Sequence, residues 1–361
     1  MKISTVLNKE KIANFYDGYL YPAVISLLVL IGSVTGTEVF TFFLNWAFII
    51  GALFFTDSLK PIIINLCTFI YQISVENSPF FPSYSDYYSS SWRLPVLIIL
   101  AVILFGAIAY FIVKNELYKG ISLKNTPLLL PLLIFSASLA VNGIFSGVWV
   151  YKNLVYALSQ AVVYLFVFLL LYQGLKKENA GSLVKYFAYI SMLMALIISA
   201  EVAHLYLSSD TIFVDGSINK VGVALGWGIW NLIGVSAFVL IPMNFYGMAK
   251  NKYPWLYFSV ATLIWIVAVL SMSRNALIFG TLTYAACVLI FSFVGEKKKI
   301  FRIIVAVGIA FAALFAVVFF DKIYSLFKDF FDRGLSDNGR FNIWRAAFDN
   351  FLNSPIFRRG F

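Results

Sequence analysis

PWLYFSVATLIWIVAVLSMSRNALIFGTLTYAACVLIFSF, residues 254–293, decides the fold. Two uncharged apolar runs, 254–270 and 275–293, flank the tetrapeptide Ser271-Met272-Ser273-Arg274. Each run approaches the about 20 apolar residues that carry a helix across a bilayer. Neither alternates with period two, as the strands of a membrane barrel do. The stretch therefore reads as a membrane hairpin with one guanidinium at its turn. A guanidinium at that depth is costly unless it reaches water or an anion, so Arg274 is a candidate functional residue by default.

The same pattern fills the rest of the chain. Of its 361 residues, 61% are hydrophobic and 12% charged, and the mean hydropathy is +0.87. A soluble core does not need that much apolar surface. The fold class expected is all-α, a polytopic transmembrane helical bundle. Windows of about 20 residues give eleven spans, near 19–35, 38–56, 60–75, 95–113, 127–146, 153–173, 183–206, 222–248, 253–271, 275–294 and 300–320. Lys60-Pro61, Thr126-Pro127 and Tyr253-Pro254 open spans, where the missing proline N–H costs nothing. The first run follows a polar leader with no short basic start and no cleavage box, so it reads as a span rather than a signal peptide. Cys67 and Cys287 sit inside apolar runs without ligand spacing, and read as small buried hydrophobes.

Basic residues alternate along this path. One side collects sixteen, from Lys2, Lys9 and Lys11 through the clusters at 114–124, 176–185 and 250–252 to 297–302. The short loops of the other side hold Arg93, Lys152, Lys220 and Arg274. The positive-inside rule makes the richer side cytoplasmic, with the N-terminus inside and Arg274 outward. This distribution accounts for most of the net charge of +10 without a nucleic-acid partner. A division into a membrane domain, 1–320, and an extracytoplasmic segment, 321–361, follows. In that segment Asp321–Arg333 and Arg340–Leu352 show helical apolar faces, and Arg345 and Asp349 are spaced i,i+4. The outer loop 76–94 carries Tyr84, Asp86, Tyr87, Tyr88 and Trp92, which read either as a platform for sugar rings or as an interfacial aromatic belt.

At these residues the chain resembles the bacterial O-antigen ligase and polymerase superfamily, most closely the Wzy-type polysaccharide repeat-unit polymerases. Trp230-Asn231-Leu-Ile-Gly234 with Pro242 looks like the family's asparagine-bearing span. Ser271-Met-Ser-Arg274-Asn275-Ala276 is similar to its S-x-S-R-x-A signature. Gly339-Arg340 through Trp344 to Pro355 and Gly360-Phe361 looks like its G-R-x-x-x-W…P-x-x-G-x-G-F stretch, with Arg358 where the family has a small residue. The family continues with a histidine-bearing outer helix. The resemblance therefore implies either that these residues are a truncated form or that the base lies elsewhere.

What the resemblance implies is a metal-independent, cofactor-free, inverting glycosyltransferase of the bacterial inner membrane. Its substrate is an undecaprenyl-diphosphate-linked oligosaccharide, and its partners include membrane lipid, a chain-length regulator and a flippase. Displacing a diphosphate from an anomeric carbon calls for fixed positive charge. Arginine supplies it bidentately, at about 4 kcal/mol per pair at 4 Å and an effective dielectric near 20, before desolvation. Arg274, Arg340 and Arg345 are the diphosphate candidates, and Asn231, Asp86 and Trp344 the substrate-lining ones. The sole histidine, His204, lies three residues after Glu201 on one helix face: a base with its orienting carboxylate, or a polar pair satisfied between helices. A ligase that moves finished polymer to another acceptor is the nearest rival. A lipid-linked oligosaccharide flippase is disfavoured, because basic residues inside the apolar runs are nearly absent.

Overall fold

The structure, a computed structural model, describes residues 2–72, 92–144, 151–209, 212–214, 217–294, 298–321, 324–325, 328 and 340–353. The chain forms two compact units, Met1–Ile108 with Glu178–Asp332, and Ala109–Lys177 with Arg333–Phe361. The described helices of the first unit begin with α1 (Lys2–Asp17), α2 (Leu20–Thr35), α3 (Glu38–Phe55) and α4 (Ile62–Thr68), the last prolonged by a 3₁₀ turn at Phe69–Gln72. α5 (Arg93–Lys114) leads into the second unit, which holds α6 (Leu129–Ile144) and α7 (Tyr151–Leu175). The first unit resumes with α8 (Ala180–Ser208), α9 (Trp230–Lys250), α10 (Pro254–Leu270), α11 (Arg274–Phe293) and α12 (Lys298–Val318). α13 (Arg340–Asn353) belongs to the second unit and matches the helix expected from Arg340 to Leu352.

The all-α polytopic expectation holds, and described helices fall within all eleven predicted windows. The number of spans does not follow. Six helices, Glu38–Phe55, Arg93–Lys114, the Ala157–Leu175 part of α7, Ala180–Ser208, Trp230–Lys250 and Arg274–Phe293, are long and apolar enough to cross a membrane. The pair Lys9–Asp17 and Leu20–Thr35, bent by 68°, makes a seventh if it is one span. Apolar composition and helical length part company elsewhere: the 11-residue helical stretch Ile62–Gln72 rises only about 16 Å, half a hydrocarbon core. The helix within the window at 222–248 also starts late. Ahead of it, Phe213–Val214 pairs antiparallel with Ser217–Ile218 (β1, β2), and Ala224–Leu225 with Gly228–Ile229 (β3, β4). α9 begins only at Trp230.

α8 and α9 are the axis of the first unit. Half of each apolar window is buried, against 11% in α5 and 17% in α11, whose exposed Val102, Phe105, Phe279 and Leu282 suit a lipid-facing surface. α9 packs against α8, α10 and α11, and α8 against α2 and α10. Gly247 of α9 allows the closest of these approaches. A Cβ there would lie 2.3 Å from the Tyr257 ring of α10.

Between α2, α3 and α4 runs a buried polar ladder. Tyr21 Oη donates to Asn65 Oδ1 (2.8 Å), and Asn65 Nδ2 to Asn45 Oδ1 (2.6 Å). Asn45 Nδ2 donates to Gln72 Oε1 (2.7 Å), and Gln72 Nε2 to Thr41 Oγ1 (3.1 Å). Lipid offers these groups no partners, so they hold the helices in one register. Of the two cysteines, Cys287 is buried as expected, whereas Cys67 is only half-buried.

Candidate functional site

The turn between α10 and α11 builds the site. Ser271 ends α10 and donates its hydroxyl to the Ala268 carbonyl at 2.7 Å, while accepting the Ser273 N–H at 3.3 Å. Met272 is buried in the left-handed region at φ 56°, which reverses the chain. Ser273 caps α11, its Oγ accepting the Ala276 N–H at 3.5 Å. Each serine thus closes backbone groups that the two helix ends leave open. The spacing Ser-x-Ser-Arg is the chemistry of a tight turn with a guanidinium at the first residue of the next helix. Helix N-termini favour anions, so Arg274 adds full charge to a pole already positive.

The start of α9 docks on this turn. Ser273 Oγ donates to Asn231 Oδ1 at 2.9 Å, across 42 residues of sequence. Gly234, one turn along α9, makes that contact possible. A Cβ there would lie 2.4 Å from Ala276 Cβ and 2.6 Å from Ser271 Oγ. The end of α8 closes a third side, with Tyr206 Oη donating to the Leu270 carbonyl at 2.6 Å. The two motifs quoted from separate spans are therefore one piece of structure.

Beside it sits a buried carboxylate. Glu201 of α8 accepts from Ser33 of α2 at Oε1 (2.6 Å) and from the Trp227 indole N–H at Oε2 (2.8 Å). Trp227 occupies the turn between β3 and β4, is 1% exposed, and meets the Tyr71 ring edge-on at 4.9 Å. Glu201 so clamps α2, α8 and the hairpin that leads into Asn231. Lys220 lies above the Trp230 ring, its Nζ 5.0 Å from the ring centre. Of these, Ser33, Tyr71, Tyr206 and Trp227 escaped sequence reasoning. The available signal was Glu201 itself, since a lone carboxylate inside an apolar helix demands donors.

His204 is half-buried one turn beyond Glu201. Arg274 and Asn231 are half-buried at the starts of α11 and α9. Arg340, Trp344 and Arg345 lie on α13 in the second unit, with Trp344 and Arg345 exposed. Asp86, Tyr84, Tyr87 and Tyr88 are outside the described residues, as is most of the stretch from Asp321 to Arg333. The described end of the aromatic loop, Trp92, stacks on Phe40 and meets Phe43 edge-on, each at 6.0 Å.

Residues 258–360 match the family model described as O-antigen ligase. This segment is that of the O-antigen ligase and polymerase superfamily. The match starts in α10 and takes in the Ser271–Arg274 turn, α11, α12 and α13, so all three candidate arginines lie inside it. Asn231, Glu201 and His204 precede the superfamily segment; Asn231 reaches it at Ser273, and α8, which carries Glu201 and His204, reaches it through Tyr206 at Leu270. No curated protein and no solved structure matched the chain.

Proposed function

We propose that the chain is a membrane polymerase that joins undecaprenyl-diphosphate-linked oligosaccharide units into a surface polysaccharide, with Arg274 holding the donor diphosphate on the outer face. The observation that carries this reading is the Ser273–Asn231 hydrogen bond, which sets Arg274 at a helix start inside the superfamily segment. An acceptor hydroxyl oxygen attacks the anomeric carbon, and the bond from that carbon to the diphosphate oxygen breaks. The electron pair leaves with the diphosphate, the hydroxyl proton passes to a base, and the anomeric centre inverts. The guanidinium stabilises the charge that grows on the leaving group, the task for which preorganised cations are most effective. Arg340 and Arg345 are further diphosphate ligands in this reading, on grounds of sequence alone. Glu201, both of whose oxygens accept a hydrogen bond, holds the Trp227 hairpin, and His204 remains the candidate base.

Expressed in cells lacking their own copy, Arg274→Ala should abolish long-chain polysaccharide at an unchanged protein level, and Arg274→Lys should restore it only in part. Unchanged chain length in Arg274→Ala overturns the reading. The family description favours a second one, a ligase that transfers finished polymer. The two separate by what the Arg274→Ala cells accumulate: single units on the lipid carrier for the polymerase, long polymer on the carrier for the ligase.

A further inference from the structure

The second unit contains an apolar groove that none of the arginine chemistry uses. α5 ends in a Schellman turn: the Glu116 N–H donates to the Val113 carbonyl at 3.2 Å and the Leu117 N–H to the Ile112 carbonyl at 3.0 Å, with Glu116 at φ 54°. Such a closure folds the residue after the left-handed position back onto the third residue from the helix end. Here that pair is Leu117 and Ile112, and both line the groove together with Tyr118 and Ile121 of the returning loop and Phe166 and Leu170 of α7. The far end of the loop is pinned to the same helix, where Tyr172 Oη donates to the Asn125 carbonyl at 3.3 Å. Leu117, Thr126 and Leu129 are buried, so the wall is built rather than draped. The groove is open along one side, holds about 150 Å³, and its lining is almost wholly apolar. Apolar surface of this kind is covered more favourably by hydrocarbon than by water.

The sequence next to the lining residues is rich in lysine. Lys114 stands in the last turn of α5, two residues beyond Ile112. Lys119 follows Tyr118 and carries its Nζ 6.0 Å from that ring's centre. Lys124 adjoins the pinned Asn125, and Lys176 and Lys177 follow the end of α7. Against these, Glu116 is the one acidic residue in the stretch 109–177, and it is exposed and paired with Lys119 at 2.7 Å. Hydrocarbon walls beside a lysine-rich stretch match one occupant in charge and shape.

We infer that this groove seats a segment of one acyl chain of an anionic phospholipid, whose phosphate is met by lysines of the same stretch, Lys114, Lys119 and Lys124. The lipids that merely surround a membrane helix meet its surface without regard to head-group charge, whereas basic pockets beside helix ends select anionic ones. None of the lining residues is one of the candidate active-site residues, and the test does not depend on polymerase activity.

The test is native mass spectrometry of the purified full chain, delipidated and then offered equal phosphatidylglycerol and phosphatidylcholine with identical acyl chains. The wild type should retain one phosphatidylglycerol with at least a tenfold preference. Leu170→Trp, which fills the groove, should reduce that retention at least fivefold. Phe166→Trp repeats the test if Leu170→Trp does not melt as the wild type does. Lys114→Gln with Lys119→Gln, changes confined to the neighbouring lysines, should remove the head-group preference while leaving the melting transition in place. Equal retention of the two lipids by the wild type overturns the proposal. So does undiminished retention in a folded groove-filling variant, or an unchanged preference in the lysine variant. Displacement of the phosphatidylglycerol by an equimolar polyprenyl phosphate overturns the identity of the occupant.

Discussion

At the scale of single residues, Gly234 and Glu201 carry the sharpest expectations. Gly234→Ala places a methyl 2.4 Å from Ala276 Cβ, so α9 must move off the turn that holds Arg274. Overpacking of this kind costs about 1–3 kcal/mol, and it separates Asn231 from Ser273. A lower melting temperature together with lost polymer is the expected result; a variant as stable and as active as the wild type sinks the close-approach argument. The Asn231–Ser273 bond itself is open to a double-mutant cycle, with Asn231→Ala and Ser273→Ala coupled by about 0.6 kcal/mol, the usual size for polar contacts between membrane helices. Glu201→Ala strands the Trp227 N–H in a buried place, at about 1–3 kcal/mol, while the Ser33 hydroxyl keeps the Val29 carbonyl at 3.1 Å. Glu201→Gln keeps an acceptor oxygen and should recover part of that loss. If the alanine and glutamine variants melt alike, the carboxylate does not clamp the hairpin.

Elements show where hydropathy stops being informative. α10 begins at Pro254, as a first-turn proline predicts, and α11 begins at Arg274 under its serine cap. The window 60–75 reads as a span, and its described part, Ile62–Gln72, is a short apolar helix: an apolar stretch reports affinity for hydrocarbon, not helix length. That short helix finds its place through Asn65, Thr68 and Gln72, which face Asn45 and Thr41 on α3. Asn45→Leu removes both a donor and an acceptor from the ladder and leaves Asn65 and Gln72 with unmade bonds. It should cost about 1–3 kcal/mol, despite being a polar-to-apolar change in a membrane helix. Differential scanning fluorimetry of the purified variant measures it, and a gain in stability there would show that the ladder does not hold α3 to α4.

For the whole molecule, the expectation is orientation: the side poor in lysine and arginine, which includes Arg274, faces outward. Arg274→Cys, in a background with Cys67 and Cys287 replaced, should react with a membrane-impermeant maleimide added to intact cells. Labelling only after the cells are broken reverses the topology and removes the lipid-diphosphate proposal with it.

The amino-acid order by itself determined that the chain is a bundle of membrane helices, where most of those helices run, and that residues 271–274 form the turn between two of them. Lipid leaves a backbone no solvent to bond with, so each apolar run must satisfy its own amides, and that rule acts locally. Which helices meet was decided only by the tertiary structure. The apolar runs are nearly equivalent in hydropathy, and partners are chosen by side-chain shape and polar matching. Ser33 reaches Glu201 across 168 residues and Asn231 reaches Ser273 across 42, separations over which no periodicity speaks.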